Sequence, residues 1–186
     1  MKKNNKDLKS TEIIFMGTSH LSQKTLETLI ENQAYIKLVI TQPDKPSGRK
    51  KKIEFSPIKK YCLEKEIDYI QPSKLNEEIL KKIKKIIPDL VLVASYGLII
   101  PKKFFQQISI PFINVHPSLL PELRGASPIQ TALLKGLENT GITIMKMDAG
   151  VDSGDIIFQE EFTIEPNEKY PDLEEKIIKK IRIILP

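Results

Sequence analysis

The chain is poor in the residues that build disulfides and metal clusters. Its 186 residues include one cysteine, two histidines, eight glycines and no tryptophan. The single cysteine, Cys62, excludes an intrachain disulfide, and no spacing of histidine, cysteine and acidic residues indicates a metal site. We therefore expect no metal. A content of 40% apolar and 28% charged residues is typical of a soluble globular protein.

Long apolar runs are lacking as well. No run approaches the ~20 apolar residues that a helix needs to span a bilayer. The basic start of the chain is followed by a strand-like run at residues 13–16, which is too short for the apolar part of a signal peptide. We expect a cytoplasmic monomer with a basic leader over residues 1–10 and one domain over residues 11–186.

Strand-like and helix-like segments alternate along the chain. The strand-like segments lie near residues 12–16, 36–41, 68–70, 89–94, 112–116, 141–147 and 156–162. The helix-like segments lie near residues 21–32, 57–65, 76–87, after 128, and 173–185. This order predicts an α/β fold, a Rossmann-like doubly wound and mostly parallel sheet flanked by helices. The first strand lacks a following Gly-x-Gly-x-x-Gly, which disfavours a nicotinamide-binding domain.

A carboxamide and an imidazole lie two residues apart at the end of the strand-like segment 112–116. In an extended backbone Asn114 and His116 project from the same face. Asp152 follows in the glycine-rich loop 148–155, and loops of such sheets meet at the carboxyl ends of the strands. Together the three groups can hold a carbonyl, move a proton and orient a base, which is the chemistry of acyl transfer. From the residues alone, a structural histidine, a turn-forming asparagine and a capping aspartate remain alternatives.

Basic residues cluster in one loop. The net charge is +5, and no acid interrupts the stretch that holds Lys45, Arg49, Lys50, Lys51 and Lys52. This cluster is either a solvated loop tip or a contact for a polyanion. Arg49 favours the second interpretation, because a guanidinium in a flexible loop can bind phosphate through two donors.

Several motifs resemble those of the methionyl-tRNA formyltransferase family, within the wider group of 10-formyltetrahydrofolate-dependent formyltransferases. They run in family order and are FMGT at 15–18, TQPDKP at 41–46, GRK at 48–50, ASYGLI at 94–99, INVHPSLLP at 113–121, RGASPIQ at 124–130, TGITIM at 140–145 and MDAGVDSGD at 147–155. A single motif of this kind is weak, whereas all of them in order are specific.

The resemblance implies a role for each part of the site. The catalytic set would be Asn114, His116 and Asp152. Tetrahydrofolate would contact the turn Ser118, Leu119, Leu120 and Pro121, and its pterin would lie in a pocket formed by Tyr96, Gly97, Leu98 and Ile99. The acceptor end of initiator tRNA would touch Arg49, Lys50 and Lys51.

The implied reaction is transfer of a formyl group from 10-formyltetrahydrofolate to the amino group of methionyl-initiator tRNA, for translation initiation. One alternative is formylation of another amine, such as an amino sugar nucleotide or glycinamide ribonucleotide. Another is a truncated, poorly active fragment that binds folate or tRNA, because the chain ends at residue 186, ahead of the C-terminal β-barrel domain of the tRNA-formylating enzymes. The apolar final stretch is either a helix packed on the sheet or a piece whose next element is missing.

Overall fold

A seven-stranded sheet forms the centre of the structure, a computed structural model that describes residues 10–47 and 52–185. The strands are β1 (Glu12–Gly17), β2 (Tyr35–Ile40), β3 (Lys45–Ser47), β4 (Lys52–Glu54), β5 (Tyr69–Ile70), β6 (Leu90–Ala94), β7 (Phe112–His116), β8 (Asn139–Lys146) and β9 (Ile156–Thr163). The sheet has the order β5-β2-β1-β6-β7-β8-β9, while β3 and β4 form a separate hairpin. Pairing is parallel from β5 to β7 and antiparallel for β7–β8 and β8–β9.

Six helices accompany these strands within the described residues. They are α1 (His20–Glu31), α2 (Pro57–Glu64), α3 (Glu77–Ile86), α4 (Lys102–Gln107), α5 (Pro128–Leu134) and α6 (Tyr170–Ile184). Three of them begin at a side chain that accepts a backbone N–H of the first turn, namely Ser19, Ser56 and Asn76. Such caps satisfy donors that the helix itself leaves unpaired, so the starts of these helices are encoded locally.

The core lies on both faces of the sheet. In β1, Ile13 and Phe15 belong to one buried cluster and Ile14 and Met16 to the other, as the two-residue repeat of a strand requires. Helices α1, α5 and α6 contribute to the first cluster, and α3 and α4 contribute to the second. The predicted doubly wound, mostly parallel sheet is thereby confirmed. The apolar stretch near residue 180 forms a helix packed into the first cluster, with Ile177 and Ile181 buried.

The strand order reverses at β1. From β1 the chain moves outward to β2 and β5, then returns to add β6 and β7 on the other side. A reversal of this kind opens a crevice at the carboxyl ends of the two central strands, where such folds bind ligands. The turns that follow β1 and β6 meet there, and the Thr18 hydroxyl donates to the Tyr96 carbonyl at 2.9 Å.

Three local features differ from the expectation. The β3–β4 hairpin and the six-residue helix α4 were not predicted, because lysine- and proline-rich or very short segments show no clear periodicity. Helix α1 begins at His20, one residue ahead of the helix-like segment 21–32, and the Nδ1 of His20 lies 3.2 Å from a carboxylate oxygen of Glu174 in α6. Within the described ranges, no helix has the length and apolar character for crossing a membrane.

Candidate active site

Asn114 and His116 lie at the carboxyl end of β7, with 7% and 4% of their surfaces exposed. The strand is held between two neighbours, since Asn114 pairs with Val93 of β6 and Met145 of β8. Backbone ladders on both sides fix the direction of the two side chains. The structure therefore presents the carboxamide and the imidazole as a rigid pair.

Asp152 reaches this pair from the loop between β8 and β9. One carboxylate oxygen, Oδ2, accepts the backbone N–H of Gly125 at 2.8 Å and lies 3.6 Å from His116 Nδ1. The other oxygen, Oδ1, lies 3.4 Å from Asn114 Nδ2. Asp152 has a backbone φ of +46°, in the left-handed region that aspartate tolerates better than most residues. The three residues that the sequence singled out thus form one cluster.

The two ring nitrogens of His116 have different neighbours. Nε2 lies 3.1 Å from the backbone carbonyl of Leu123. A carbonyl only accepts hydrogen bonds, so this contact assigns a proton to Nε2. In the neutral ring Nδ1 is then the nitrogen with the lone pair, and it faces Asp152.

A cavity of about 320 Å³ adjoins the cluster. Its walls come from the loop 95–100 after β6, the end of β7, the loop 125–128 and the loop 147–152. Val93, Leu98, Phe105 and Met147 supply an apolar lining, whereas Asn114, His116 and Asp152 supply the polar end. An apolar slot that ends in a few converging polar groups suits a flat organic ligand with one reactive end.

Tyr96 is buried next to this cavity, with 2% of its surface exposed. Burial raises the pKa of its hydroxyl to about 12, so the phenol is neutral at physiological pH. Among the described residues, the hydroxyl has no hydrogen-bond partner. The side chain packs with the cluster to which α3 and α4 contribute, and Tyr96 lines the cavity together with Ser95 and Gly97.

The residues expected to bind folate fall into two groups. Tyr96, Gly97, Leu98 and Ile99 all line the cavity. The other group, Ser118, Leu119, Leu120 and Pro121, is absent from its lining. Within that turn the Ser118 hydroxyl is fully buried and donates to the Glu122 carbonyl at 2.8 Å. A direct folate contact by the turn stays a prediction.

The expected tRNA contacts, Arg49, Lys50 and Lys51, lie outside the described residues. The strands on either side of them in the sequence, β3 and β4, are described, and they pair antiparallel with Lys45 opposite Glu54.

Across the part of the chain that the structure covers, no group of three or more histidine, cysteine, aspartate and glutamate side chains could hold a metal ion.

Sequence reasoning missed the backbone groups that hold the cluster together. The Leu123 carbonyl and the Gly125 N–H contact His116 and Asp152, and both lie in a loop where Leu123 and Gly125 have positive φ values of 56° and 102°. The motif RGASPIQ marked part of this loop, but it carried no signal for a backbone role. Phe105 was missed because α4 was missed.

The sequence matches the formyl transferase family over residues 11–186. A methionyl-tRNA formyltransferase from Caldicellulosiruptor saccharolyticus is 47% identical over 169 residues, which are 89% of this chain and 54% of that protein. Another, from a Thermotoga species, is 43% identical over 167 residues, 89% of this chain and 53% of that protein. The chain therefore spans about half the length of the curated relatives that it matches.

Solved structures show the same fold. Phosphoribosylglycinamide formyltransferase from Bacillus halodurans superposes with a TM-score of 0.77 at 22% identity, over 94% of this chain and 91% of that one. Glycinamide ribonucleotide transformylase 1 from Geobacillus kaustophilus gives 0.76 at 22% identity, over 95% of both chains. At this identity the likeness concerns the fold alone. The family match covers the whole sheet and the loops around the cavity, and the chain belongs to the formyl transferase family.

Proposed function

We propose that the chain transfers a formyl group from 10-formyltetrahydrofolate to the amino group of methionyl-initiator tRNA. The observation that carries the proposal is the cluster of Asn114, His116 and Asp152 at the polar end of an apolar cavity. Relatives that are more than 40% identical over nearly this entire chain are methionyl-tRNA formyltransferases. These relatives favour a tRNA-borne amine as the acceptor.

Asn114 is suited to bind the oxygen of the reacting formyl group. When an amine attacks the formyl carbon, that oxygen becomes negatively charged in a tetrahedral intermediate. Asn114 has two amide hydrogens, and only one of them points toward Asp152. A fixed donor of this kind contributes roughly 3 kcal/mol to the stability of an oxyanion.

His116 is suited to take the proton that the attacking amine loses. Its Nε2 proton is engaged by the Leu123 carbonyl, so Nδ1 is the position that can accept. The negative charge of Asp152, 3.6 Å away, offsets the positive charge that then forms on the ring. The proton passes on to the folate nitrogen as its bond to the formyl carbon breaks, which completes the transfer.

The cavity wall supports the choice of cosubstrate. A pterin is a flat heterocycle with hydrogen-bonding edges, and the loop 95–100 offers backbone groups beside the apolar side chains Leu98 and Phe105. In this proposal the pterin lies in the slot and the formyl-bearing nitrogen points toward Asn114. No step of the reaction requires a metal.

The basic residues near Arg49 support tRNA as the formyl acceptor. In the sequence, Arg49, Lys50 and Lys51 follow Lys45 and the strand that it begins, and we assign these three residues to phosphate contacts with the acceptor end of the tRNA. The role in translation initiation implies that the protein acts in the cytoplasm. We further propose that it acts as a monomer, which size-exclusion chromatography with light scattering would test.

The acceptor is tested by offering alternatives in parallel. Purified protein and 10-formyltetrahydrofolate would be incubated with methionyl-initiator tRNA, glycinamide ribonucleotide or an amino sugar nucleotide, and the formylated products would be quantified. We expect product from the charged tRNA only. Product from glycinamide ribonucleotide, with none from the tRNA, would overturn the acceptor assignment and keep the formyl transferase chemistry.

A further inference from the structure

Gln42 connects the β3–β4 hairpin to the cavity. It follows β2, has 7% of its surface exposed, and forms hydrogen bonds through its side chain and its backbone carbonyl. Its side-chain Nε2 donates to the Tyr96 carbonyl at 2.7 Å, and its Oε1 accepts from Lys45 Nζ at 2.5 Å. Its backbone carbonyl accepts from Gln71 Nε2 at 2.8 Å. A buried carboxamide with its side-chain oxygen and nitrogen both engaged has a defined orientation.

The turn that Gln42 contacts has an unusual backbone. Ser95 and Gly97 both have positive φ values, 43° and 77°, and such conformations are held in place by their surroundings. The Tyr96 carbonyl between them accepts from Gln42 and from the Thr18 hydroxyl. A Cβ added to Gly97 would lie 2.4 Å from Gln42 Nε2, so the carboxamide packs directly against the turn. Residues 95–97 also form part of the cavity wall.

Lys45 and the Tyr96 carbonyl together fix the direction in which the carboxamide of Gln42 points. An ammonium group can only donate, so its contact places the oxygen of Gln42 on the Lys45 side and the nitrogen on the Tyr96 side. Lys45 is the first residue of the hairpin. Just before it, Asp44 accepts from Lys59 Nζ and from Gln71 Nε2, which fixes the base of the hairpin to α2 and to the segment after β5.

We propose that Gln42 is a positioning residue that holds the 95–97 turn in its ligand-binding shape, and that Lys45 at the hairpin base orients it. The cavity and the hairpin base are then energetically coupled through one carboxamide. By linkage, a change at the hairpin base that disturbs Lys45 alters ligand affinity in the cavity, and the reverse also holds. The identity of the cavity's ligand rests on the proposed function; the contact geometry does not.

Four variants of the full chain test the proposal. Gln42→Met keeps the side-chain length and removes both polar atoms; Lys45→Met removes the ammonium; and the double variant combines the two. Thr25→Val is the matched control, because its buried hydroxyl also donates to a backbone carbonyl, that of Leu21, within α1. Each variant would be examined by amide hydrogen exchange at residues 95–98, by titration with tetrahydrofolate and by thermal unfolding.

We expect Gln42→Met to speed exchange in the 95–98 segment and to weaken tetrahydrofolate binding by roughly tenfold, as the loss of one buried hydrogen bond implies. Its melting temperature should fall no further than that of Thr25→Val. Lys45→Met should show a smaller effect of the same kind and no further effect in the Gln42→Met background, since it acts through Gln42.

If amide hydrogens of residues 95–98 exchanged in Gln42→Met at the same rate as in the wild-type protein, the positioning role of Gln42 would be overturned. Independent, additive effects of the two substitutions would overturn the orientation by Lys45. Failure of the wild-type protein to bind tetrahydrofolate would contradict the proposed function, and the exchange measurement would still decide the role of Gln42.

Discussion

At the residue scale, the two ring nitrogens of His116, at the end of β7, have different partners. The Leu123 carbonyl engages Nε2 of His116, and Asp152 lies beside Nδ1. Asp152 is itself held by the Gly125 N–H, so the carboxylate has a fixed place relative to the ring. In the proposed reaction, Asp152 therefore acts through His116 on the proton-transfer step.

Asp152→Asn should therefore lower the rate of formyl transfer without weakening folate binding. Removal of the charge beside Nδ1 should cost roughly 10²- to 10⁴-fold in kcat, as for other carboxylates that orient a catalytic histidine. The measurement is kcat and KM for the formyl donor, together with the Kd of tetrahydrofolate. A variant that loses folate affinity and keeps kcat would instead show a role in the cavity wall.

A second prediction for a single residue concerns Tyr96 and the free energy of unfolding. Its hydroxyl is buried and has no partner among the described residues, which is unfavourable compared with an apolar group of the same shape. Tyr96→Phe should raise the free energy of unfolding of the ligand-free protein by about 1 kcal/mol. Chemical denaturation would measure it; a clear loss of stability would mean that the hydroxyl has a partner.

At the scale of elements, the site is assembled from loops that the sheet brings to one edge. The strand ends could be predicted from the sequence, because apolar runs such as 89–94 and 112–116 are bounded by polar or turn-forming residues. Because the loops of such a sheet meet at that edge, the sequence also predicted that Asp152 lies near Asn114 and His116. The hairpin β3–β4 and the helix α4 could not be predicted, because they contact residues distant in sequence: Asp44, just ahead of β3, binds Gln71, and Lys103 of α4 binds Glu77.

The sequence also could not predict which ring nitrogen of His116 carries the proton. It depends on a hydrogen bond to the Leu123 carbonyl, and any residue could supply that carbonyl. The same holds for Gln42, whose partners on Tyr96 and Lys45 lie on separate loops. Side-chain identity can be read from a sequence, whereas backbone partners of this kind require the fold.

The hairpin base gives a prediction about pH. The hydrogen bond from Lys59, followed by that from Gln71, holds the pKa of Asp44 below its ordinary value of 3.8. A lowered pKa means that the carboxylate stabilises the fold above pH 3.8, and that this contribution is lost as the pH falls through the lowered pKa. Asp44→Asn should thus cost about 1 kcal/mol near neutral pH and progressively less below pH 3.8.

Urea denaturation across that pH range measures the difference. Glu175→Gln is the control, because its ion pair with Lys179 is exposed on both sides and should contribute almost nothing at any pH. An Asp44→Asn penalty that stays constant down to pH 2.5 would contradict the assigned cause of the low pKa.

For the whole molecule, the distribution of charge distinguishes the proposed binding of folate from the proposed binding of tRNA. The cavity has mainly apolar walls, whereas the basic residues Arg49, Lys50 and Lys51 follow β3 in the sequence. A tRNA contact made through phosphates weakens steeply with salt, while binding of a small heterocycle in an apolar slot does not. The two binding steps should therefore respond differently to ionic strength.

Arg49→Ala should raise KM for methionyl-tRNA by roughly tenfold and reduce the slope of log affinity against log salt by about one. The Kd of tetrahydrofolate should stay unchanged. Lys179→Ala is a matched control, since it removes a cation from the exposed face of α6. Equal losses of tRNA and folate binding in Arg49→Ala would refute the assignment of the basic loop.

The proposed roles of Asn114 and His116 in formyl transfer onto a tRNA-borne amine can be examined in one experiment. It is single-turnover formylation of methionyl-initiator tRNA with saturating 10-formyltetrahydrofolate, for the wild-type protein, Asn114→Ala and His116→Ala. We predict formylated methionyl-tRNA from the wild-type protein and a rate at least roughly 10²-fold lower in each variant, with all three proteins folded. Wild-type rates in both variants would show that neither Asn114 nor His116 acts in formyl transfer.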